Sequence, residues 1–217
     1  MKQYKLAVFD LDGTLLDTLE DLMNAVNDGL RKKNYPERNL EEIRSFVGNG
    51  MQNLIRKSVP QGTAEADMQE VLAYFREFYK IHCKDCTRPY KGVSKALEVL
   101  KEKGIHLAML SNKPDFAVGQ LADQYFPGLF EMAAGEREGI PRKPAPDALW
   151  SVMEEFGCSK DDIVYIGDSE VDVKTAQNAG IPLIAVSWGF RSLQTLKDAG
   201  AKTIISDPEE LVAKISE

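Results

Sequence analysis

The chain has 217 residues, enough for one large domain or for a domain carrying a smaller inserted one. Apolar residues make up 43% of it, which supports a packed core and argues against wholesale disorder. A net charge of -7, from 34 acidic against 27 basic residues, disfavours a nucleic-acid partner, which needs a clustered basic face to neutralise phosphates.

From the start, Met1-Lys2-Gln3-Tyr4-Lys5 runs straight into a strand-like segment, so no signal peptide is read and a cytoplasmic setting is expected. No apolar stretch approaches the ~20 residues that a membrane span needs. Leu6-Ala7-Val8-Phe9 reads as a buried strand ending at Asp10. From about Thr18 to about His82 the pattern is helical. Leu19, Leu22, Met23, Val26 and Leu30 keep one face, and Met68, Val71, Leu72, Phe75 and Tyr79 keep another. Between them, Ile43 to Val59 reads as two shorter helices broken at Gly48-Asn49-Gly50. Cys83 and Cys86 form a CxxC beside His82, but no second ligand pair exists to complete a zinc site, so the thiols read as reduced and incidental.

Apolar runs then recur at Leu107–Leu110, Ile163–Ile166, Leu183–Val186 and Thr203–Ile205. Helical patterns lie between them: Val93, Ala96, Leu97 and Leu100, then about Pro146 to Phe156, then Val171 to Asn178. Strands alternating with helices predict an α/β fold, a Rossmann-like parallel sheet covered on both faces. The helical interval reads as an inserted cap domain, residues 18–82, within a core of residues 1–17 and 83–217.

Polar residues that carry chemistry stand where these runs end. Asp10-Leu11-Asp12-Gly13-Thr14 follows the first, and ligands of open parallel sheets gather at strand carboxyl ends. Read alone, the Asp and Gly could simply turn the chain. Gly167-Asp168-Ser169-Glu170-Val171-Asp172 follows the Ile163 run; alone, Asp168 or Ser169 could cap the next helix. Two strands each delivering a carboxylate to one sheet edge would instead suit a hard cation. Ser111-Asn112 closes the Leu107 run, either as a strand-end hydroxyl or as a helix cap. Lys143 lies in a proline-punctuated loop, where a lysine is more often a solvated charge.

Together and in this order, DxDGT at Asp10, the strand-end Ser111, Lys143-Pro144 and GDSxxD at Gly167 resemble the haloacid dehalogenase superfamily of phosphohydrolases, over the whole chain. The resemblance implies that Asp10 is the nucleophile and forms an aspartyl-phosphate, with Asp12 as acid and then base. It implies Mg²⁺ held by the Asp10 and Asp168 carboxylates and the Asp12 carbonyl. Ser111, Asn112 and Lys143 would bind phosphate, and Thr14 and Asp172 would support the site from behind.

The segment Phe46-Val47-Gly48-Asn49-Gly50, with Arg56 beyond it, resembles the cap loop of phosphoglycolate phosphatases. Asn49 and Arg56 would then read the leaving group, although an interhelical turn and a surface arginine are the plain alternatives. The expected partner is a small phosphoester, with no nucleic acid, membrane or partner protein implied. Phosphatase is the leading reading. A phosphomutase or pyrophosphatase of the same fold, or a binding module without catalysis, are the alternatives.

Overall fold

The computed structural model describes residues 4–216. The chain opens with β1 (Leu6–Phe9) and β2 (Leu16–Asp17). Four helices follow, α1 (Leu19–Lys32), α2 (Leu40–Phe46), α3 (Gly50–Ser58) and α4 (Glu65–His82), and then β3 (Arg88–Pro89). Beyond it come α5 (Val93–Glu102), β4 (His106–Pro114), α6 (Asp115–Tyr125), β5 (Met132–Glu136) and α7 (Asp147–Glu155). The chain finishes with β6 (Ile163–Gly167), α8 (Glu170–Ala179), β7 (Leu183–Val186), α9 (Leu193–Asp198), β8 (Ile204–Ile205) and α10 (Glu209–Ser216).

Two compact units emerge, one made of Met1–Leu16 with Pro89–Glu217, the other of Asp17–Arg88. The first unit is an α/β fold around a six-stranded sheet in the order β5-β4-β1-β6-β7-β8, every pairing parallel. Its strands β1 and β7 are unbroken apolar runs, as is the start of β4 from Leu107 to Leu110, because both faces are covered there. On one face Leu6, Val8, Ala108, Leu110, Ile163 and Tyr165 pack with Leu149, Val152 and Met153 of α7 and Ala176 and Ala179 of α8. The alternate residues Ala7, Phe9, Leu107, Met109, Val164 and Ile166 are fully buried as well. The strand order reverses at β1, which pairs with β4 on one side and β6 on the other. Such a switch point opens a crevice at the strand carboxyl ends, so the topology marks Asp10 before any chemistry is considered.

The second unit is built on α1 and α4. Leu22, Ala25, Val26 and Leu30 of α1, with Met68, Val71, Leu72, Phe75 and Tyr79 of α4, are all buried. Gly29 lets the two backbones approach: a Cβ there would stand 2.9 Å from the Val71 carbonyl oxygen. Its helices α2 and α3 are separated at residues 47–49, and Gly50 opens α3 at φ +79. Asp21, near the start of α1, is buried and accepts hydrogen bonds from Cys86 N (2.9 Å), Thr87 N (2.8 Å) and Thr87 Oγ1 (2.7 Å). Cys83, Cys86 and Cys158 are free thiols. Among the described residues no helix is long and apolar enough to cross a membrane.

Candidate active site

Asp10 is the first residue beyond β1, and its N–H still donates to Ile166 O at 2.8 Å, continuing the ladder. Its carboxylate is buried and lies 2.9 Å from Lys143 Nζ. Lys143 is equally buried, and its ammonium also donates to Asp172 Oδ1 and Tyr165 Oη, each at 2.8 Å. Burial works against that charge, but Asp10 and Asp172 outweigh it and hold the ammonium well above the usual lysine range. The Lys143 backbone is fixed in turn by the Asn112 amide. Lys143 N donates to Asn112 Oδ1 (2.9 Å), and Asn112 Nδ2 donates to Lys143 O (3.0 Å). Asn112, expected at the phosphate, thus stands directly beside the lysine loop.

Asp168 follows β6 as Asp10 follows β1, because β1 and β6 pair in register from Leu6↔Ile163 to Phe9↔Ile166. Thr14 Oγ1 donates to Asp168 Oδ1 at 3.2 Å, and Phe190 N donates to Asp168 Oδ2 at 2.7 Å. Two glycines make room for this carboxylate. Gly13 has φ +85, and a Cβ on it would fall inside contact distance of Asp168; a Cβ on Gly189 would overlap both Gly13 O and Asp168. Trp188 Nε1 donates to Thr14 O at 3.0 Å, closing the loop after β7 onto the Asp10–Thr14 turn.

Helix capping falls to Ser169, whose hydroxyl accepts from Asp172 N while the Asp172 side chain returns to the Ser169 backbone. Asp172 Oδ2 accepts from Ser169 N (3.1 Å) and Oγ (2.6 Å), and Oδ1 accepts from Lys143 Nζ and from Tyr165 Oη at 3.0 Å. Its two oxygens are thus engaged by Lys143, Tyr165 and the α8 cap.

Asp10, Asp168 and Asp172 each place a carboxylate oxygen within 4.8 Å of the others'. Burial, against the pull of Lys143, pushes Asp10 up to about 7, and burial with the charges of Asp172 and Asp10 drives Asp168 well above the carboxylate range. Three buried carboxylates around one ammonium leave an excess of negative charge. That set of hard oxygen donors fits a hard divalent cation such as Mg²⁺. The Asp12 side chain points elsewhere, to Lys113 Nζ at 2.7 Å. Ser111 ends the run before it, buried, its Oγ accepting from Lys113 N at 3.3 Å, which leaves the hydroxyl proton for another acceptor. Asn49 and Arg56 belong to the helical unit, with Arg56 exposed and 4.0 Å from Glu65.

Lys113, Tyr165, Trp188 and Gly189 were not singled out in the sequence. Tyr165 had a local signal, the one polar tip inside an otherwise apolar strand.

Residues 7–186 match the family described as haloacid dehalogenase-like hydrolase. The phosphoglycolate phosphatase of Pseudomonas putida is 33% identical over 214 residues, 96% of this chain and 78% of the relative. That of Haemophilus influenzae is 29% identical over 219 residues, 97% of this chain and 98% of the relative. A crystal structure from Lactobacillus delbrueckii subsp. bulgaricus, put forward as a phosphoglycolate phosphatase, superposes with a TM-score of 0.93 at 36% identity, covering 99% of each chain. A sheet whose switch point gathers carboxylates and a buried lysine, and matches that run nearly end to end, give one conclusion: the chain belongs to the haloacid dehalogenase-like hydrolases.

Proposed function

We propose that this protein is a magnesium-dependent phosphatase that hydrolyses phosphoglycolate, or a similarly small carboxylate-bearing phosphoester, through an aspartyl-phosphate on Asp10. The observation that carries the reading is the buried Asp10–Lys143 contact of 2.9 Å within a cluster of carboxylates. It joins an oxygen nucleophile to a cation suited to the phosphoryl group. The substrate class comes from the named relatives, two of which are phosphoglycolate phosphatases.

A carboxylate approaching a phosphate meets ~4 kcal/mol of repulsion per unit of phosphate charge at 4 Å and an effective dielectric near 20. A dianion doubles that, so fixed positive charge is a condition of the reaction. Lys143 supplies part of it, and the Ser111 hydroxyl donates to a phosphoryl oxygen. The carboxylates of Asp10 and Asp168, with the Asp12 carbonyl, would hold Mg²⁺, which supplies the remaining charge neutralisation when bound. An Asp10 oxygen attacks phosphorus, the bond to the leaving oxygen breaks, and Asp12 gives that oxygen its proton. Asp12 then takes a proton from water, the water oxygen attacks phosphorus, and the bond to Asp10 breaks to release phosphate. A small metabolite as substrate accords with the cytoplasmic setting expected from the sequence.

The test is phosphate release from a panel holding phosphoglycolate, pyrophosphate, hexose phosphates and p-nitrophenyl phosphate, with Mg²⁺ and with excess chelator. Phosphoglycolate should rank among the better substrates, and chelator should silence the enzyme. Asp10→Asn, nearly isosteric but a poor nucleophile, should retain less than about a hundredth of the activity. Full activity in chelator would sink the metal-assisted route, and return of phosphate to a sugar instead of its release would make the protein a mutase.

A further inference from the structure

Lys113 stands outside the mechanism above, yet it is one of the least accessible charges in the molecule. Its side chain is 2% exposed, and its ammonium lies 2.7 Å from Asp12 Oδ1 across 101 residues of sequence. Taking a lysine out of water is costly unless its partner is well placed, so the position demands a reason. The backbone at this point is pinned from two directions. Lys113 N donates to Ser111 Oγ, and Gly135 of β5 is bare of a side chain where it meets Lys113 O. The parallel register of β1 with β4, Phe9 beside Met109, sets Asp12, just past the end of β1, beside the last residues of β4, and so brings Asp12 and Lys113 to the same edge.

Asp12 needs such a hold. It stands just ahead of the turn at Gly13–Leu15, bridged to Leu16; its side chain is 14% exposed, and the buried carboxylates of Asp10 and Asp168 share its sheet edge. Their repulsion favours conformers that carry its carboxylate out to solvent. An acid that protonates a leaving oxygen works only within hydrogen-bond reach of it.

We propose that Lys113 is the positioning residue for Asp12: its ammonium fixes the Asp12 carboxylate where the leaving oxygen, and later the attacking water, will be. This rests on the reading of Asp12 as acid and base. The proton that moves is Asp12's, passed to the leaving oxygen and regained from water, and Lys113 keeps its own throughout. The same residue thus orients the phosphate-binding hydroxyl of Ser111 through its backbone and the acid through its side chain.

The test compares kcat/KM, which reports the step up to the phosphoenzyme, for p-nitrophenyl phosphate and for the best alkyl phosphate of the panel. The nitrophenolate leaves without much help, whereas an alkoxide must be protonated. Lys113→Met should cost the alkyl ester about tenfold more than the aryl ester, and Lys113→Arg should recover most of that difference. In an Asp12→Asn background, Lys113→Met should change the rate by less than about twofold, because the group it positions is gone. If Lys113→Met alone does not fold, the double variant, which lacks the buried charge pair altogether, carries the comparison with Asp12→Asn. Equal losses on both esters, no loss, or a further loss in the Asp12→Asn background would each overturn the proposal. An alkyl–aryl difference in Asp12→Asn but none in Lys113→Met removes Lys113 alone. No difference in Asp12→Asn removes the reading of Asp12, and the proposal with it.

Discussion

At the scale of single residues, the site works by denying its carboxylates any slack. Asp168 is held at one oxygen by Thr14 and at the other by the Phe190 N–H, with two glycines packed against it. Gly189→Ala therefore should not be silent. Its φ is unremarkable for an alanine, but the new methyl would overlap Asp168 and Gly13 O, so the carboxylate or the turn must move. Groups that orient a metal ligand typically change metal affinity 10- to 100-fold when altered, so with Asp168 in its proposed role Mg²⁺ binding by calorimetry should weaken by about tenfold. Unchanged affinity would mean that the loop after β7 adapts freely. Residues at this scale were legible in proportion to how local their signal is. Asp10 and Asp168 each follow a buried apolar run, and their meaning sits within a few positions. Lys113, Trp188 and Gly189 owe theirs to approaches across the sheet, Lys113 to Asp12 and Trp188 to Thr14, which no window along the chain contains.

Among the elements, the strands bracketing the site are plain in the sequence because each is buried on both faces, while β5 is not. Met132-Ala133-Ala134-Gly135-Glu136 forms one of the two edge strands, is only half-buried, and has small residues where a strand signal would need branched or aromatic ones. Its glycine is there for the backbone of Lys113 and Asp115, a requirement set by packing. The helices of the second unit announce themselves by their faces, but the contact that ties the start of α1 to the segment after α4 does not. Asp21 is one charge in a polar stretch until the fold brings Cys86 and Thr87 to it. Removing it leaves the Cys86 and Thr87 backbone N–H groups short of an acceptor, at about 1–3 kcal/mol for each that water cannot reach, while the Thr87 hydroxyl keeps Cys83 O at 3.1 Å. Asp21→Ala should therefore lower stability by about 3 kcal/mol in urea unfolding. Asp21→Asn, keeping one acceptor, should recover part of it. A loss within ~0.5 kcal/mol of zero would show that water replaces the carboxylate.

For the molecule as a whole, the proposed division of labour assigns the phosphoryl group to the α/β unit and the leaving group to the helical one. Arg56, on α3, is exposed and pairs with Glu65 at 4.0 Å, a kind of contact worth little in water, so releasing it costs little. If it meets a substrate carboxylate, Arg56→Ala should lower kcat/KM for phosphoglycolate at least about tenfold more than for p-nitrophenyl phosphate. Equal losses would show that Arg56 does not read the leaving group. The strand order has a consequence of another kind, for how the protein is born. β1 occupies the middle of the sheet but is synthesised first; Leu6 must wait for His106 and then Ile163 before either neighbour exists. At ribosomal speeds that is a delay on the order of ten seconds. The helical unit, continuous from Asp17 to Arg88, is complete before the first of those neighbours emerges. The guest is thus finished ahead of its host. A nascent chain stalled short of β6 would carry a made insert, an apolar strand with one edge unpaired, and only Asp10 of the three clustered carboxylates.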